Sequence, residues 1–283
     1  MHSRLHADSA HGESPSLVRH AVGAVAVHLD EGLWRDTGIL VAFSERGGGY
    51  SRPPFDSLNL AAHVGDDPAS VDGNRLRLLE ALGLGELRGS MVTARQVHGT
   101  DVARVARATA GAGAFSAGQP GPEADALVTT EAGIPLLMLY ADCVPVIVVA
   151  ESPRRAVAVV HSGWRGTAER VVTHSISELL AVSGARPESL RAYIGPHIRS
   201  CCYEVDETLA SHFGNIFDTI TAVDGRLDME AAVRESMEAI GVKRERVTSL
   251  GLCTHDLTDR FFSYRAHQVT GRHGALAVIT KVE

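Results

Sequence analysis

The middle of the chain carries four apolar segments in close succession, and this feature restricts the fold more than any other. The segments, which are rich in β-branched residues, occupy positions 126–129, 136–140, 144–149 and 156–160. Short runs of this composition, separated by turns, predict β-strands that are buried on both faces. Asp142 and Pro145 interrupt the longest apolar stretch, so no membrane span is predicted there.

Helical segments lie between groups of strands. Helices are predicted at 67–84, 166–183, 205–213 and 228–240, the last with Asp228 as its N-cap. Further strands are predicted at 22–29, 38–43, 90–97, 102–105, 191–194, 261–264 and 275–280. This order predicts an α+β fold in which helices cover mixed β-sheets. We expect a single domain at 22–283, preceded by a polar, flexible tail at 1–21.

Composition excludes several classes of function. The formal net charge of −7 disfavours general binding to nucleic acid, because phosphate-backbone binding usually needs a basic excess. The four cysteines lack the spacing of a disulfide scaffold, and the first 20 residues lack the apolar core of a secretion signal. We therefore expect a cytoplasmic protein with free thiols and no membrane or nucleic-acid partner.

Three segments place a potential metal ligand where an apolar strand gives way to a turn. They contain His98 in Gln-Val-His-Gly, Cys143 in Ala-Asp-Cys-Val-Pro, and His161 in His-Ser-Gly-Trp-Arg-Gly. Two imidazoles and one thiolate suit catalytic zinc, which commonly keeps three protein ligands and one open position. The ligands are far apart in sequence, so spacing alone also allows packed histidines and a small buried cysteine.

The third segment offers an anion site as well. Its glycines lie between a strand and the start of a helix, where free N–H groups attract anions, and Arg165 adds a planar set of donors. The alternative is an ordinary tight turn in which Trp164 packs and Arg165 is solvated.

Several longer segments together resemble one known family. In chain order they are RQVHGTDV, ADALVTTEAGIPLLMLYADCVPVIVV, HSGWRGT, YIGPHIRSCCYEV and FFSYR followed by TGRHGALAVI. They are similar to the laccase-domain family, also called the multicopper polyphenol oxidase-like or purine nucleoside phosphorylase family. The resemblance extends over about residues 37 to 281 and includes the glycine-rich FSERGGGYSRPPFDSLNL segment.

The resemblance implies a layered α/β/β/α domain with one zinc ion bound by His98, Cys143 and His161. It also implies phosphorolysis of adenosine, inosine and methylthioadenosine, and deamination of adenosine. The sequence departs from the family at Ser162, usually alanine, and at Ala266, usually arginine. The second departure removes a cationic side chain near the C-terminus.

Candidate roles follow for individual residues. His98, Cys143, His161 and Asp142 are the predicted catalytic group, although Asp142 could equally cap a turn. Asp125 is an alternative acid/base group or a partner that orients a metal-binding imidazole. The predicted substrate or phosphate contacts are Arg46, Ser51, Asn59, His63, Arg165 and Arg265; His63 could instead be a packing residue. We expect a purine nucleoside and phosphate as small-molecule partners, and a monomer or homodimer.

Three alternatives remain. One is a copper-dependent polyphenol oxidase. It is disfavoured because the sequence has no His-x-His pair for a copper cluster, and because no methionine has an obvious position as an axial ligand, although Met138 lies on the strand before Cys143. Another is a metal-free hydrolase with Cys143 as nucleophile and His161 as base. The last is a non-enzymatic module that stores metal or binds a partner.

The remaining cysteines are predicted to lie outside the metal site. Cys201 and Cys202 are adjacent, and neighbouring side chains on a strand point to opposite faces, so both should not bind one ion. We expect one of them in the core. Cys253 and His255 form another soft pair of possible ligands.

Overall fold

The computed structural model describes residues 16–218 and 222–280, which form fourteen β-strands and seven α-helices. The strands are β1 (Val18–Val22), β2 (Val25–Leu29), β3 (Ile39–Ser44), β4 (Val92–Thr93), β5 (Val102–Arg104), β6 (Ala126–Thr129), β7 (Leu136–Tyr140), β8 (Val144–Ala150), β9 (Ala156–Ser162), β10 (Arg191–Ile194), β11 (Ala222–Val223), β12 (Arg226–Leu227), β13 (Val247–Ser249) and β14 (His273–Ile279). The helices are α1 (Glu31–Thr37), α2 (Pro68–Ala81), α3 (Trp164–Ala168), α4 (Val171–Ser183), α5 (Glu207–Ile216), α6 (Met229–Ala239) and α7 (Tyr264–His267).

Two six-stranded mixed sheets form the centre of the fold. The first has the order β1-β2-β3-β14-β7-β4, antiparallel except for the parallel pair of β7 and β4. The second has the order β13-β10-β8-β9-β6-β5, with parallel pairs at both edges. A short hairpin of β11 and β12 forms a third sheet.

The two large sheets pack face to face, and helices cover their outer faces. Successive side chains of β8 point into different layers. Val146 and Val148 belong to the core under α4 and α6, whereas Ile147 and Val149 belong to the core between the two sheets. A further apolar cluster packs α2 on the outer face of the first sheet. Because both faces of the central strands are buried, their sequences read as continuous apolar runs. The predicted layered α+β fold is confirmed.

Local signals in the sequence explain several boundaries. Asp67 precedes α2 and accepts from the N–H groups of Ala69 and Ser70, and Asp228 accepts from the N–H of Ala231 at the start of α6. These are N-cap bonds that satisfy otherwise unpaired donors. The segment predicted as one helix at 166–183 is two helices, because Arg170 has a φ of 61° and interrupts the hydrogen-bonding pattern.

Other predicted elements differ from the structure. The strand predicted at 261–264 is wrong: Phe261 and Phe262 are buried in irregular backbone, and Ser263 caps α7 by accepting from the N–H of Ala266. The strand predicted at 90–97 is reduced to the two residues of β4. Helix α1 and strand β13 were not predicted, because both are short and lack clear periodicity.

The N-terminal tail predicted at 1–21 lies mostly outside the described residues. Its final part belongs to β1, which pairs antiparallel with β2. Among the described residues, no helix combines the length and the apolar character that a membrane span requires.

Candidate metal centre and active site

The turn that carries His98 is organised by the carboxylate of Asp125. The backbone N–H groups of Val97, His98 and Gly99 donate to this carboxylate over 3.1, 3.0 and 2.7 Å. His98 has a φ of 62°, a left-handed conformation that few non-glycine residues adopt. The buried Asp125 therefore holds a strained turn in place and leaves the imidazole of His98 exposed.

The same carboxylate orients His161 on β9. Nδ1 of His161 donates to Oδ1 of Asp125 over 2.7 Å, which leaves Nε2 of this buried imidazole for another partner. Burial alone would raise the pKa of Asp125, but the hydrogen bonds from His161 and from the turn lower it below its usual range. Asp125 therefore remains a carboxylate that links the two histidines, as the sequence allowed.

Cys143 completes the group at the turn between β7 and β8. Its Sγ lies 3.8 Å from Nε2 of His98, and one potential ligand atom from each of His98, Cys143 and His161 lies within 4.8 Å of the others. The two imidazole rings are nearly perpendicular, with centroids 4.8 Å apart. Three segments that are distant in sequence therefore converge, as predicted.

Gly163 makes this convergence possible. A Cβ at this position would lie 2.6 Å from Cδ2 of His98 and 3.4 Å from Sγ of Cys143. The first distance is far below van der Waals contact, so a larger residue would displace His98. Ser162, where the family usually has alanine, is buried and its hydroxyl pairs with Oγ1 of Thr167 at 2.6 Å, so this departure is accommodated beside the group.

Electrostatics favour the metal-binding form of the thiol. Burial would raise the pKa of Cys143, but the charges and hydrogen bonds of His161 and His98 outweigh it and lower the pKa to about 6. Burial opposes charge on His161 as well, yet Cys143 and Asp125 raise its pKa to about 9, so a zinc ion bound here would replace a proton of this imidazole. Two imidazole nitrogens and a readily formed thiolate, with His98 open to solvent, are a donor set that fits a zinc ion with a free position.

Two cavities meet at this group. The cavity that we call the aromatic cavity has a volume of about 350 Å³. It is lined by Trp164, Arg165, Ile198, Tyr203, Met229 and Arg265, together with Asp142 and the shared residues below. The basic cavity, of about 590 Å³, is lined by His63, Arg75, Gln96, His161 and Arg272, among others. Both cavities include His98, Ala141, Cys143 and Tyr264, so two of the candidate ligands lie at their junction, and the third, His161, lines the basic cavity.

Positive charge dominates the basic cavity. Nη1 of Arg272 donates to the carbonyls of Thr270 and Gly271 over 2.8 and 2.9 Å, and no bond from Nε or Nη2 exists within the described residues. Burial lowers the pKa of His63, and the charges of Arg272 and Arg75 lower it further. The part of the cavity beside these arginines thus disfavours a positive charge on His63 and favours a bound anion.

Asp142 supports one wall of the aromatic cavity. Its Oδ1 accepts from Oγ1 of Thr254 and its Oδ2 accepts from the backbone N–H of Arg265, both over 2.6 Å. The carboxylate therefore caps the start of α7, the alternative role that the sequence left open. Arg265 also donates to the carbonyl of Glu204 and stacks over the ring of Tyr203. Arg165 lies over the ring of Trp164, with 4.8 Å between the guanidinium carbon and the ring centroid.

Three residues that were predicted to contact substrate form hydrogen bonds within the protein. The guanidinium of Arg46 donates to the carbonyls of Asp56 and Thr258 and lies over the ring of Phe262. The hydroxyl of Ser51 accepts from Asn74. Oδ1 of Asn59 accepts from the backbone N–H of Arg272 over 2.8 Å, so Asn59 positions an arginine of the basic cavity. None of the three lines either cavity as described.

The prediction that Cys201 and Cys202 lie on a strand, with one of them in the core, is wrong. Cys201 and Cys202 lie in a turn and not on a strand, and neither is fully buried. Because the turn directs both side chains to one side, their thiols approach the buried Cys253 and Asp256. His255 is not part of this group.

The arginines of the basic cavity were missed by sequence reasoning. Arg75 lies inside α2 and Arg272 directly precedes β14, and neither position has the strand-end pattern that singled out the three ligands. Arg272 lies in the TGRHG segment, which is part of the family resemblance, and this resemblance could have identified Arg272 as a site residue. Tyr203 and Tyr264 were missed for the same reason.

Comparison with known proteins gives one consistent result. Residues 40–280 match the family described as multi-copper polyphenol oxidoreductase laccase. Purine nucleoside phosphorylase SCO2081 of Streptomyces coelicolor is 37% identical over 244 residues, which cover 84% of this chain and 95% of the relative. Purine nucleoside phosphorylase YlmD of Geobacillus stearothermophilus is 34% identical over 244 residues, which cover 83% of this chain and 88% of the relative. The crystal structure of YlmD from that organism matches with a TM-score of 0.84 at 31% identity, over 94% of this chain and 100% of that one.

Proposed function

The chain belongs to the multi-copper polyphenol oxidoreductase laccase family, and from this premise we propose that it is a zinc-dependent purine nucleoside phosphorylase that also deaminates adenosine. The observation that carries the proposal is the convergence of His98, Cys143 and His161 in the wall of the basic cavity, where His98 and Cys143 also line the aromatic cavity. The names of its relatives support the same class of reaction.

His98, Cys143 and His161 would hold the zinc ion. Asp125 fixes His161 through Nδ1 and holds the His98 turn, so the protein pre-orients two of the three ligands. Zinc bound here would supply a Lewis acid beside both cavities.

The basic cavity would bind phosphate. Within the part of the chain that the structure describes, Nε and Nη2 of Arg272 make no hydrogen bond, and Arg75 and His63 line the same cavity. In phosphorolysis a phosphate oxygen forms a bond to the anomeric carbon while the bond from that carbon to the purine nitrogen breaks. The electron pair of the broken bond stays on the purine, which takes up a proton as it leaves. Arg272 would orient the attacking phosphate and neutralise part of its charge.

The aromatic cavity would bind the nucleoside. Trp164, Tyr203 and Tyr264 offer ring surfaces for a purine, and Ile198 and Met229 add apolar contacts. Asp142 would act as a positioning residue, because both of its oxygens are occupied by Thr254 and Arg265. A purine in this cavity and a phosphate in the basic cavity would meet at the shared wall near His98 and Cys143.

The test is a product assay on the zinc-loaded protein. Adenosine with phosphate should give adenine and ribose 1-phosphate, and adenosine with water alone should give inosine and ammonia. His98→Ala should abolish both reactions, whereas His174→Ala, which removes an exposed histidine on α4, should leave them intact. Absence of all products from protein with zinc bound would refute the proposal.

Chelation separates zinc chemistry from a metal-free thiol hydrolase. We expect activity to be lost with the metal and restored by added zinc. Activity that survives complete removal of zinc would instead favour Cys143 as a nucleophile. A copper-loaded sample assayed with a polyphenol tests the oxidase alternative in the same experiment.

A further inference from the structure

We propose that the thiols of Cys201, Cys202 and Cys253, with the carboxylate of Asp256, form a second zinc site that is structural. This site is separate from the group of His98, Cys143 and His161 and shares no ligand with it. The inference does not depend on the proposed phosphorylase activity.

The geometry supports four ligands around one ion. Sγ of Cys202 lies 2.8 Å from Oδ1 of Asp256, and Sγ of Cys201 lies 3.3 Å from Oδ2 of the same carboxylate. One ligand atom from each of the four residues lies within 4.8 Å of all the others. Tetrahedral zinc with bonds of about 2.3 Å to sulfur separates its ligand atoms by about 3.8 Å. Small side-chain rotations would therefore suffice to enclose the ion.

The donor chemistry distinguishes this site from the catalytic one. Three sulfurs and one oxygen are four protein ligands, which is the number that closes a structural zinc site and leaves no position for substrate. Each thiol that binds zinc releases one proton to solvent as its thiolate forms.

The position of the cluster gives it a structural role. It would join the turn at Cys201 and Cys202 to the loop that begins at Cys253, two segments about 50 residues apart in sequence. Tyr203, which lines the aromatic cavity, directly follows Cys202, and Thr254, which bonds to Asp142, directly follows Cys253. A metal here would clamp one wall of the aromatic cavity.

Metal content of single variants tests the proposal. Protein purified under reducing conditions with zinc and then dialysed should lose one zinc equivalent on Cys202→Ala. Cys143→Ala should retain the equivalent held by the cluster. Cys201→Ala provides a second variant at an exposed position, where misfolding is not expected.

Cobalt substitution gives a readout independent of activity. Thiolate-to-cobalt absorption per bound ion should be about three times stronger in Cys143→Ala than in Cys202→Ala, because three thiolates contribute at the cluster and one at the other site. The proposal is overturned if Cys143→Ala holds no metal, or if Cys201→Ala and Cys202→Ala bind as much zinc as the unmodified chain. A disulfide among these cysteines in the reduced protein, with no metal bound, would also overturn it.

Discussion

The Nδ1 atom of His161 donates to the carboxylate of Asp125 over 2.7 Å, and this bond selects which imidazole nitrogen faces the other candidate ligands. The carboxylate is fully buried and also accepts from the N–H of His98. Asp125 thereby fixes the tautomer of His161 and the backbone conformation of His98.

Asp125→Asn should weaken zinc binding by about 10- to 100-fold, because the amide cannot replace a charged acceptor shared by four N–H donors. A competition titration with a chromophoric chelator measures this affinity. Asp101→Asn makes the same change at an exposed aspartate of the neighbouring segment and should leave the affinity unaltered. Equal affinities in the two variants would show that Asp125 does not orient the ligands.

Gly163→Ala should displace His98, because the added methyl would lie 2.6 Å from Cδ2 of that imidazole. We expect turnover to fall by roughly 100-fold, the size of effect that a shift of about 1 Å at a reacting centre can produce. The thermal unfolding midpoint should change little, since the displaced imidazole is exposed. Gly89→Ala is the matched control, because a Cβ there has no neighbour within 4 Å. Wild-type turnover with intact zinc content in Gly163→Ala would contradict the prediction.

Arg272→Ala should raise the KM for phosphate by about 10- to 100-fold, because the basic cavity loses a charge-assisted donor. The KM for the nucleoside should rise much less, since Arg272 does not line the aromatic cavity. Initial rates at varied phosphate and fixed adenosine measure the difference. Arg88→Ala, at an exposed arginine, serves as control. An equal rise in both KM values would place phosphate elsewhere.

Glu45→Gln should make the free energy of unfolding depend less on pH under acidic conditions. Burial would raise the pKa of Glu45, but hydrogen bonds from His28, Arg19 and Arg260 outweigh it and hold the pKa far below its usual range. The folded state therefore binds this proton less readily than the unfolded state, so its stabilisation is present above about pH 4.3 and is lost as the pH falls through the folded pKa.

Urea unfolding between about pH 2 and pH 7 measures this contribution. We expect Glu45→Gln to lose roughly 2 kcal/mol of unfolding free energy near neutral pH and progressively less as the pH falls. Glu86→Gln, at an exposed glutamate, should follow the unmodified chain throughout. A loss from Glu45→Gln that stays constant down to the lowest pH would contradict the assignment.

Some features of this protein can be predicted from its sequence because they depend on residues that are close together in the chain. Strand β7 was predicted with its observed bounds, since five apolar residues buried on both faces need no partner to be recognised. Asp228 was identified as an N-cap because its acceptor serves an N–H only three residues away. The three candidate ligands were found because each lies at or beside the end of a predicted strand, and because the family resemblance joined them.

Other features were decided only by tertiary structure, because they depend on groups that meet across long stretches of chain. The local sequence of Arg272 does not show that Asn59, some 213 residues earlier, holds its backbone beside a cavity. A pair of adjacent cysteines does not show whether a strand separates the two thiols or a turn brings them together. Side chains alternate along an extended backbone, and this is a local property of the sequence. The direction in which a turn points its side chains depends on the distant segments that pack against the turn.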